Sequence, residues 1–153
     1  MAFRPETAFK FQVSTNLQVT YMTANFITAL AVKSFDEPDK KRCPDKAEVD
    51  LVSVNDFSVA RLILAPGWRW SECTKPTEQT PFCQHNHLGF CLSGVMEVES
   101  PEGARSFIRA NDTYAIPPGH DEWVVGSEPF VAVEFLGAAS FGRPVSRGLH
   151  ARI

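Results

Sequence analysis

No segment of this sequence is long and apolar enough to cross a membrane. The longest apolar run near the N-terminus covers residues 26–32, whereas a spanning helix needs about 20 apolar residues. A secretory leader is not indicated either, because Arg4 and Lys10 are followed by polar residues and not by an apolar core. We therefore expect a cytoplasmic protein with no membrane partner.

The sequence also lacks an excess of basic charge, an internal repeat and a low-complexity tract. The formal net charge is -3, so we expect no nucleic-acid partner. Hydrophobic residues make up 44% of the chain and charged residues 22%, a balance that argues against disorder. The 153 residues suffice for one domain whose core needs no disulfide. The four cysteines, Cys43, Cys73, Cys83 and Cys91, are accordingly expected as thiols.

Short segments with strand periodicity and frequent turns are what the sequence contains instead. Strands are predicted at residues 49–54, 57–64, 67–71, 87–92, 95–99, 106–109, 113–116, 122–125 and 130–136. Such close and regular spacing is typical of an all-β sandwich or barrel. We expect residues 1–46 to form an N-terminal extension with a short helix at 24–33 and an exposed linker at 36–46. Residues 47–137 would form the barrel, and residues 138–153 a basic tail.

Three side chains able to bind a metal alternate in the stretch that begins at Cys83. His85 and His87 follow at intervals of two residues. In an extended strand, alternate side chains point to one face, so the three would project into the same space. Thiolate and imidazole are ligands that d-block metals prefer. This stretch therefore predicts part of a metal site.

A second group of this kind follows Gly119. His120 and Glu122 share one strand parity and would face the same side. A catalytic metal site uses about three protein ligands and keeps one position open. We therefore expect one divalent ion in the interior, with the remaining candidates beside it. The candidate metal ligands are His87, His120, Cys83, His85 and Glu122, and His87 is the strongest of them.

The residue types leave the metal undecided among zinc, nickel, iron and manganese. A bound thiolate favours zinc, whereas two histidines and a carboxylate favour iron. The alternative is a barrel without metal, whose buried histidines are hydrogen-bonded within a polar interior.

Aromatic and basic residues elsewhere are candidates for contact with an organic ligand. Trp68 and Trp70 share a strand face, with Arg69 between them. We favour these tryptophans as barrel core, and the alternative is an aromatic wall with Arg61 or Arg69 as a carboxylate clamp. Trp123 has the same two interpretations.

The two groups of metal-binding residues resemble the two signature motifs of the cupin superfamily. The first motif ends at Gly94, and the second is anchored by Pro117-Pro118-Gly119. Counting from these anchors places Cys83, His87 and Glu122 in ligand positions of the family pattern, and Pro81 in place of its first histidine. Residues 66–71, 83–89 and 116–126 are similar to one group of small single-domain bacterial cupins.

The resemblance implies a double-stranded β-helix, or jelly-roll barrel, with a metal or ligand pocket. The first functional hypothesis is a metal-binding cupin that holds a small polar organic molecule. The second is a mononuclear metal enzyme, such as an oxygenase, isomerase or decarboxylase. Because cupins often pair, a homodimer that exchanges the alternating segments 9–13 and 17–21 is expected, and the alternative is that residues 1–46 are flexible.

Overall fold

The computed structural model describes residues 27–137, and antiparallel strands account for much of this range. The predicted all-β fold is confirmed. The strands are β1 (Lys40–Arg42), β2 (Ala47–Val54), β3 (Phe57–Leu64), β4 (His87–Ser93), β5 (Val95–Glu99), β6 (Arg105–Arg109), β7 (Thr113–Ile116), β8 (Asp121–Val124) and β9 (Phe130–Leu136).

The strands form two sheets, in which several neighbours are far apart along the chain. The larger sheet has the order β1-β2-β3-β9-β4-β7, and the smaller has the order β6-β5-β8. β9 therefore lies between β3 and β4, and both of its pairings are antiparallel. The inward residues of the larger sheet, such as Leu62 and Phe130, share one core with Met96 and Val124 of the smaller sheet. This is a jelly roll, whose sheets bury alternate residues against each other.

Part of the N-terminal region differs from the sequence-based expectation. Residues 40–42 belong to the predicted linker, yet they form an edge strand whose Lys41 contacts Glu48 and Asp50 of β2. Exposed lysines are common on edge strands because they discourage pairing with other chains. The segments 9–13 and 17–21 and the basic tail at 138–153 lie outside the described residues.

The helix predicted at 24–33 is absent from its described portion, residues 27–33. The side chain of Asn55, in the β2–β3 turn, accepts hydrogen bonds from the backbone N–H groups of Thr28 and Ala29. It also donates one to the Ala29 carbonyl, so these backbone groups are satisfied without a helix.

The strand predicted at 67–71 is also wrong. A π-helical turn occupies Trp70–Thr74, and a short helix, α1, occupies Lys75–Glu78. Asp121 explains the change, because its carboxylate accepts hydrogen bonds from the backbone N–H and the hydroxyl of Ser71. These bonds replace the ladder partners that a strand would need.

Among residues 27–137, no helix is long and apolar enough to cross a membrane.

We expect Gly94→Ala to destabilise the fold by about 1–3 kcal/mol more than Gly103→Ala does. Both glycines have positive φ, +78° and +85°, so both substitutions introduce similar backbone strain. A Cβ at Gly94 would also meet the Pro129 carbonyl and lie 2.7 Å from the Phe130 Cα, whereas a Cβ at Gly103 would meet nothing within 4 Å. Denaturant titration of both variants measures the difference, and equal losses would contradict this packing.

Candidate metal centre

Three buried side chains from separate parts of the fold bring metal-binding atoms together. One ligand atom each from Cys83, His87 and His120 lies within 4.8 Å of the others. Cys83 Sγ is 3.4 Å from His87 Nε2, and the ring centroids of His87 and His120 are 5.2 Å apart. A thiolate and an imidazole bound to one tetrahedral zinc ion would be about 3.5 Å apart. The cluster therefore has the spacing of three ligands around one ion.

Backbone hydrogen bonds hold the two ligand-bearing segments side by side. The Cys83 N–H donates to the His120 carbonyl at 2.9 Å, and the Gly119 N–H donates to the Cys83 carbonyl at 2.7 Å. Cys83 itself precedes β4, and His87 is the first residue of that strand. The short bridge thus brings together residues that are far apart in the sequence.

The orientation of His120 leaves one ring nitrogen available. Nδ1 lies 2.7 Å from the Pro117 carbonyl, and because a carbonyl only accepts, Nδ1 carries the proton. Nε2 is buried and has no hydrogen-bond partner within the described part of the chain. Burial lowers the pKa of His120 to about 4, so the imidazole is neutral at pH 7. A buried lone pair without a partner is suited to a metal ion.

His87 is oriented by a carboxylate that sequence reasoning missed. Its Nδ1 lies 3.0 and 3.1 Å from the two carboxylate oxygens of Glu134 on β9. Tyr114 donates its hydroxyl to the same carboxylate at 3.0 Å. The proton on Nδ1 directs Nε2 toward Cys83, as in the carboxylate–histidine–metal arrangement of many metal sites.

The absence of a side chain at Gly89 allows this contact. A Cβ there would lie 2.6 Å from the Tyr114 hydroxyl oxygen and 2.8 Å from the Val133 carbonyl. Gly89 pairs with Tyr114 on one side and Glu134 on the other. The tyrosine ring therefore crosses β4 at this position to reach the carboxylate.

The ionisable groups of the cluster influence one another strongly. Burial raises the pKa of the Cys83 thiol, although the contact with His87 opposes this effect. Burial lowers the pKa of His87, but contacts with Cys83 and Glu134 outweigh it and raise that pKa well above its ordinary value. A metal ion would compete with both protons, since it binds the thiolate and the unprotonated Nε2.

Glu122 lies beside the three ligands but does not belong to the group whose ligand atoms are all within 4.8 Å of one another. Its Oε2 is 3.8 Å from His120 Nε2, and burial raises the pKa of Glu122 to about 7. The neighbouring His87 opposes this effect, whereas the nearby carboxylates of Glu134 and Asp121 add to it.

His85 does not join the cluster, although the alternation predicted that it would. Only Cys83 forms a β-bridge in residues 83–86, so the chain is not a regular strand there and the parity rule does not apply. The His85 Nε2 instead lies 3.2 Å from a carboxylate oxygen of Glu78 in α1. Glu78 lies outside the predicted strands and was not among the candidate residues.

The candidate ligand-contact residues occupy two different environments. Trp68 and Trp70 are 0% and 1% exposed and belong to the common core. Arg61 is on the opposite face of β3 from Leu62, where its guanidinium is paired with Asp50 at 2.7 Å. Trp123 faces outward under the guanidinium of Arg69, whose carbon lies 4.4 Å from a ring centroid. Arg61 and Trp123 therefore do not line the interior, because strand alternation directs them away from it. Arg69 lies outside the strands and is engaged by Asp121 and the ring of Trp123.

Two surface depressions reach the cluster from different sides. One, of about 710 Å³, includes Tyr114 and His120 in its lining. The other, of about 660 Å³, includes His85 and His87. Both include Ile116 and Pro117, so β7 and the following turn separate them. The cluster is thus buried but close to two routes from solvent.

Glu134→Gln is expected to weaken metal affinity about 10–100-fold, because the amide keeps the shape but loses the charge that orients and polarises His87. Competition with a chromophoric chelator measures the affinity. Glu99→Gln, on the outer part of the smaller sheet and paired with Arg105, is the control for charge removal. Unchanged affinity in Glu134→Gln would show that the carboxylate does not support the ligand.

No protein-family model matches this chain. No curated protein matches it either. Among solved structures, a protein of unknown function from Rhizobium leguminosarum bv. viciae 3841 superposes with a TM-score of 0.52 at 13% identity, over 76% of this chain and 98% of that one.

Two further solved structures are similar to this chain over most of their own length. An RmlC-like cupin from Shewanella frigidimarina NCIMB 400 gives a TM-score of 0.49 at 10% identity, over 74% of this chain and 95% of that one. KdgF from Halomonas sp. gives a TM-score of 0.49 at 15% identity, over 72% of this chain and 94% of that one. At such low identity, the likeness to these structures concerns the fold alone.

Proposed function

We propose that this protein is a metal-binding cupin that holds one divalent ion through Cys83, His87 and His120. One observation carries the proposal: three buried ligand atoms lie within 4.8 Å of one another, and one of them, His120 Nε2, has no hydrogen-bond partner in the described residues. Three protein ligands leave a tetrahedral ion with one open position. That position would take the small polar organic molecule.

The ligand set favours zinc among the four metals considered, because a thiolate is soft and two imidazoles are borderline donors. A bound ion of this kind would supply Lewis acidity to a molecule in its open position.

A mononuclear metal enzyme is the second candidate, and Glu122 is the observation that favours it. This buried carboxylate lies 3.8 Å from His120 Nε2. A carboxylate so placed could accept a proton from a molecule held beside it. The same residue also fits a binding protein, so the reaction itself needs a separate measurement.

The metal content of untagged protein, measured by inductively coupled plasma mass spectrometry, tests the proposal. We expect about one equivalent of a divalent ion, because a site with three protein ligands and one open position binds a single ion. Iron or manganese would favour an oxygenase and call for oxygen-uptake assays. Zinc or nickel would support the site and leave the binding and hydrolytic alternatives for substrate screening. No metal after reconstitution would contradict the proposal and favour a hydrogen-bonded polar interior.

A further inference from the structure

Among the described residues, the two routes to the metal centre lack the cationic side chains that recognise anions. The depression beside His87 contains no lysine, arginine, aspartate or glutamate in its described lining. Its polar side chains include the amides of Gln84 and Asn86. The depression beside His120 contains Glu102 and Asp112, and again no lysine or arginine within residues 27–137. A molecule approaching by either route therefore meets no lysine or arginine side chain of residues 27–137.

The arginines first considered as carboxylate clamps are engaged elsewhere. Arg61 is paired with Asp50, and Arg69 with Asp121, each at 2.7 Å. Arg69 also covers the outward ring of Trp123. Breaking either pair to bind a ligand would leave the largely buried carboxylates of Asp50 and Asp121 without their main partners. Neither guanidinium is thus available to an interior carboxylate.

The groups around the metal ligands can accept hydrogen bonds and carry negative charge. Glu122 presents a buried carboxylate beside His120, and Glu134 presents another behind His87. Beside the ion, these two acidic side chains offer hydrogen-bond acceptors and no cationic group. Apart from the ion itself, an incoming anion would lose its hydration without meeting a lysine or arginine side chain in the described lining.

We propose that the open position at this centre selects neutral or cationic molecules bearing a hydroxyl or amine group, and discriminates against carboxylates. The inference rests on the proposed metal site. A hydroxyl or amine group has a lone pair for the ion and a proton to donate, and Glu122 is the acceptor that the fold places beside the ligands. Glu122 is thus the specificity-determining residue of the site.

The test uses the full chain loaded with Co²⁺, whose visible absorption changes when a molecule enters its coordination sphere. Ethanolamine, ethylene glycol and glycolate are titrated separately, because they share one hydroxyl group and differ in charge. We expect glycolate to bind at least about tenfold more weakly than ethanolamine, as like charges in a low-dielectric site repel strongly. Glu122→Gln should reduce this difference severalfold.

Glu97→Gln is the matched control, because Glu97 pairs with Arg105 on the outer side of the smaller sheet. This variant should keep the preference of the unmodified protein, and circular dichroism verifies the fold of both variants. Preferential binding of glycolate, or equal responses to all three molecules, would overturn the inference while leaving the metal site intact. Failure of Co²⁺ to bind at all would instead contradict the metal site, and the inference with it.

Discussion

His87→Ala should lower metal affinity by at least about 100-fold, more than loss of a supporting residue costs. The substitution removes one of three ligand atoms and also leaves the Glu134 carboxylate without the imidazole that it contacts at 3.0 Å. Metal content after dialysis against a weak chelator, together with competition titration, measures the loss. Circular dichroism of the variant establishes that the barrel is still folded.

His85→Ala is the control for this experiment because it removes the same side chain two residues away. His85 contacts Glu78 and is not one of the three ligands. Its ring centroid lies 6.4 Å from that of His87. We expect its metal content to match that of the unmodified protein. If His85→Ala lost metal and His87→Ala kept it, the ligand assignment would be wrong.

Trp68→Ala should reduce the free energy of unfolding by about 3–5 kcal/mol, the usual cost of truncating a large buried aromatic residue. Trp68 is 0% exposed and packs in the core shared by both sheets. The cavity left by the indole would remain largely unfilled because strand pairing fixes the surrounding backbone. Denaturant unfolding followed by far-ultraviolet circular dichroism measures the loss without relying on tryptophan fluorescence.

Trp123→Ala is the comparison, since it removes the same side chain from an outward face. The substitution removes the half-buried ring that Arg69 covers, and a cation–π contact of this kind is worth about 1 kcal/mol. A Trp68→Ala cost no larger than that of Trp123→Ala would contradict the core assignment. It would favour the alternative in which Trp68 forms the wall of a ligand pocket.

Most of the strands could be predicted from local pattern alone. The predicted strands 57–64, 95–99, 113–116 and 130–136 have the same bounds in the structure. Each alternates apolar and polar residues or ends at a clear turn, so the local signal agrees with the burial that the fold requires. The error at 67–71 arose because Asp121, distant in sequence, provides hydrogen-bond partners for that segment.

Glu134 illustrates which part of the site could be predicted from the sequence and which could not. It shares strand parity with the buried Phe130 and Ala132, so an acidic residue on an inward face was a visible signal. The pairing of β9 with β4, which brings this carboxylate to His87, was not visible.

The sequence by itself determined the all-β class, most strand positions and the residue types able to bind a metal, because these depend on short-range periodicity and side-chain chemistry. Only the tertiary structure decided that Cys83, His87 and His120 converge while His85 turns to Glu78. It also decided that Arg61 and Trp123 face outward. The physical reason is that a ligand set depends on distances between segments, which strand pairing and the Cys83–His120 backbone bridge fix and local parity does not.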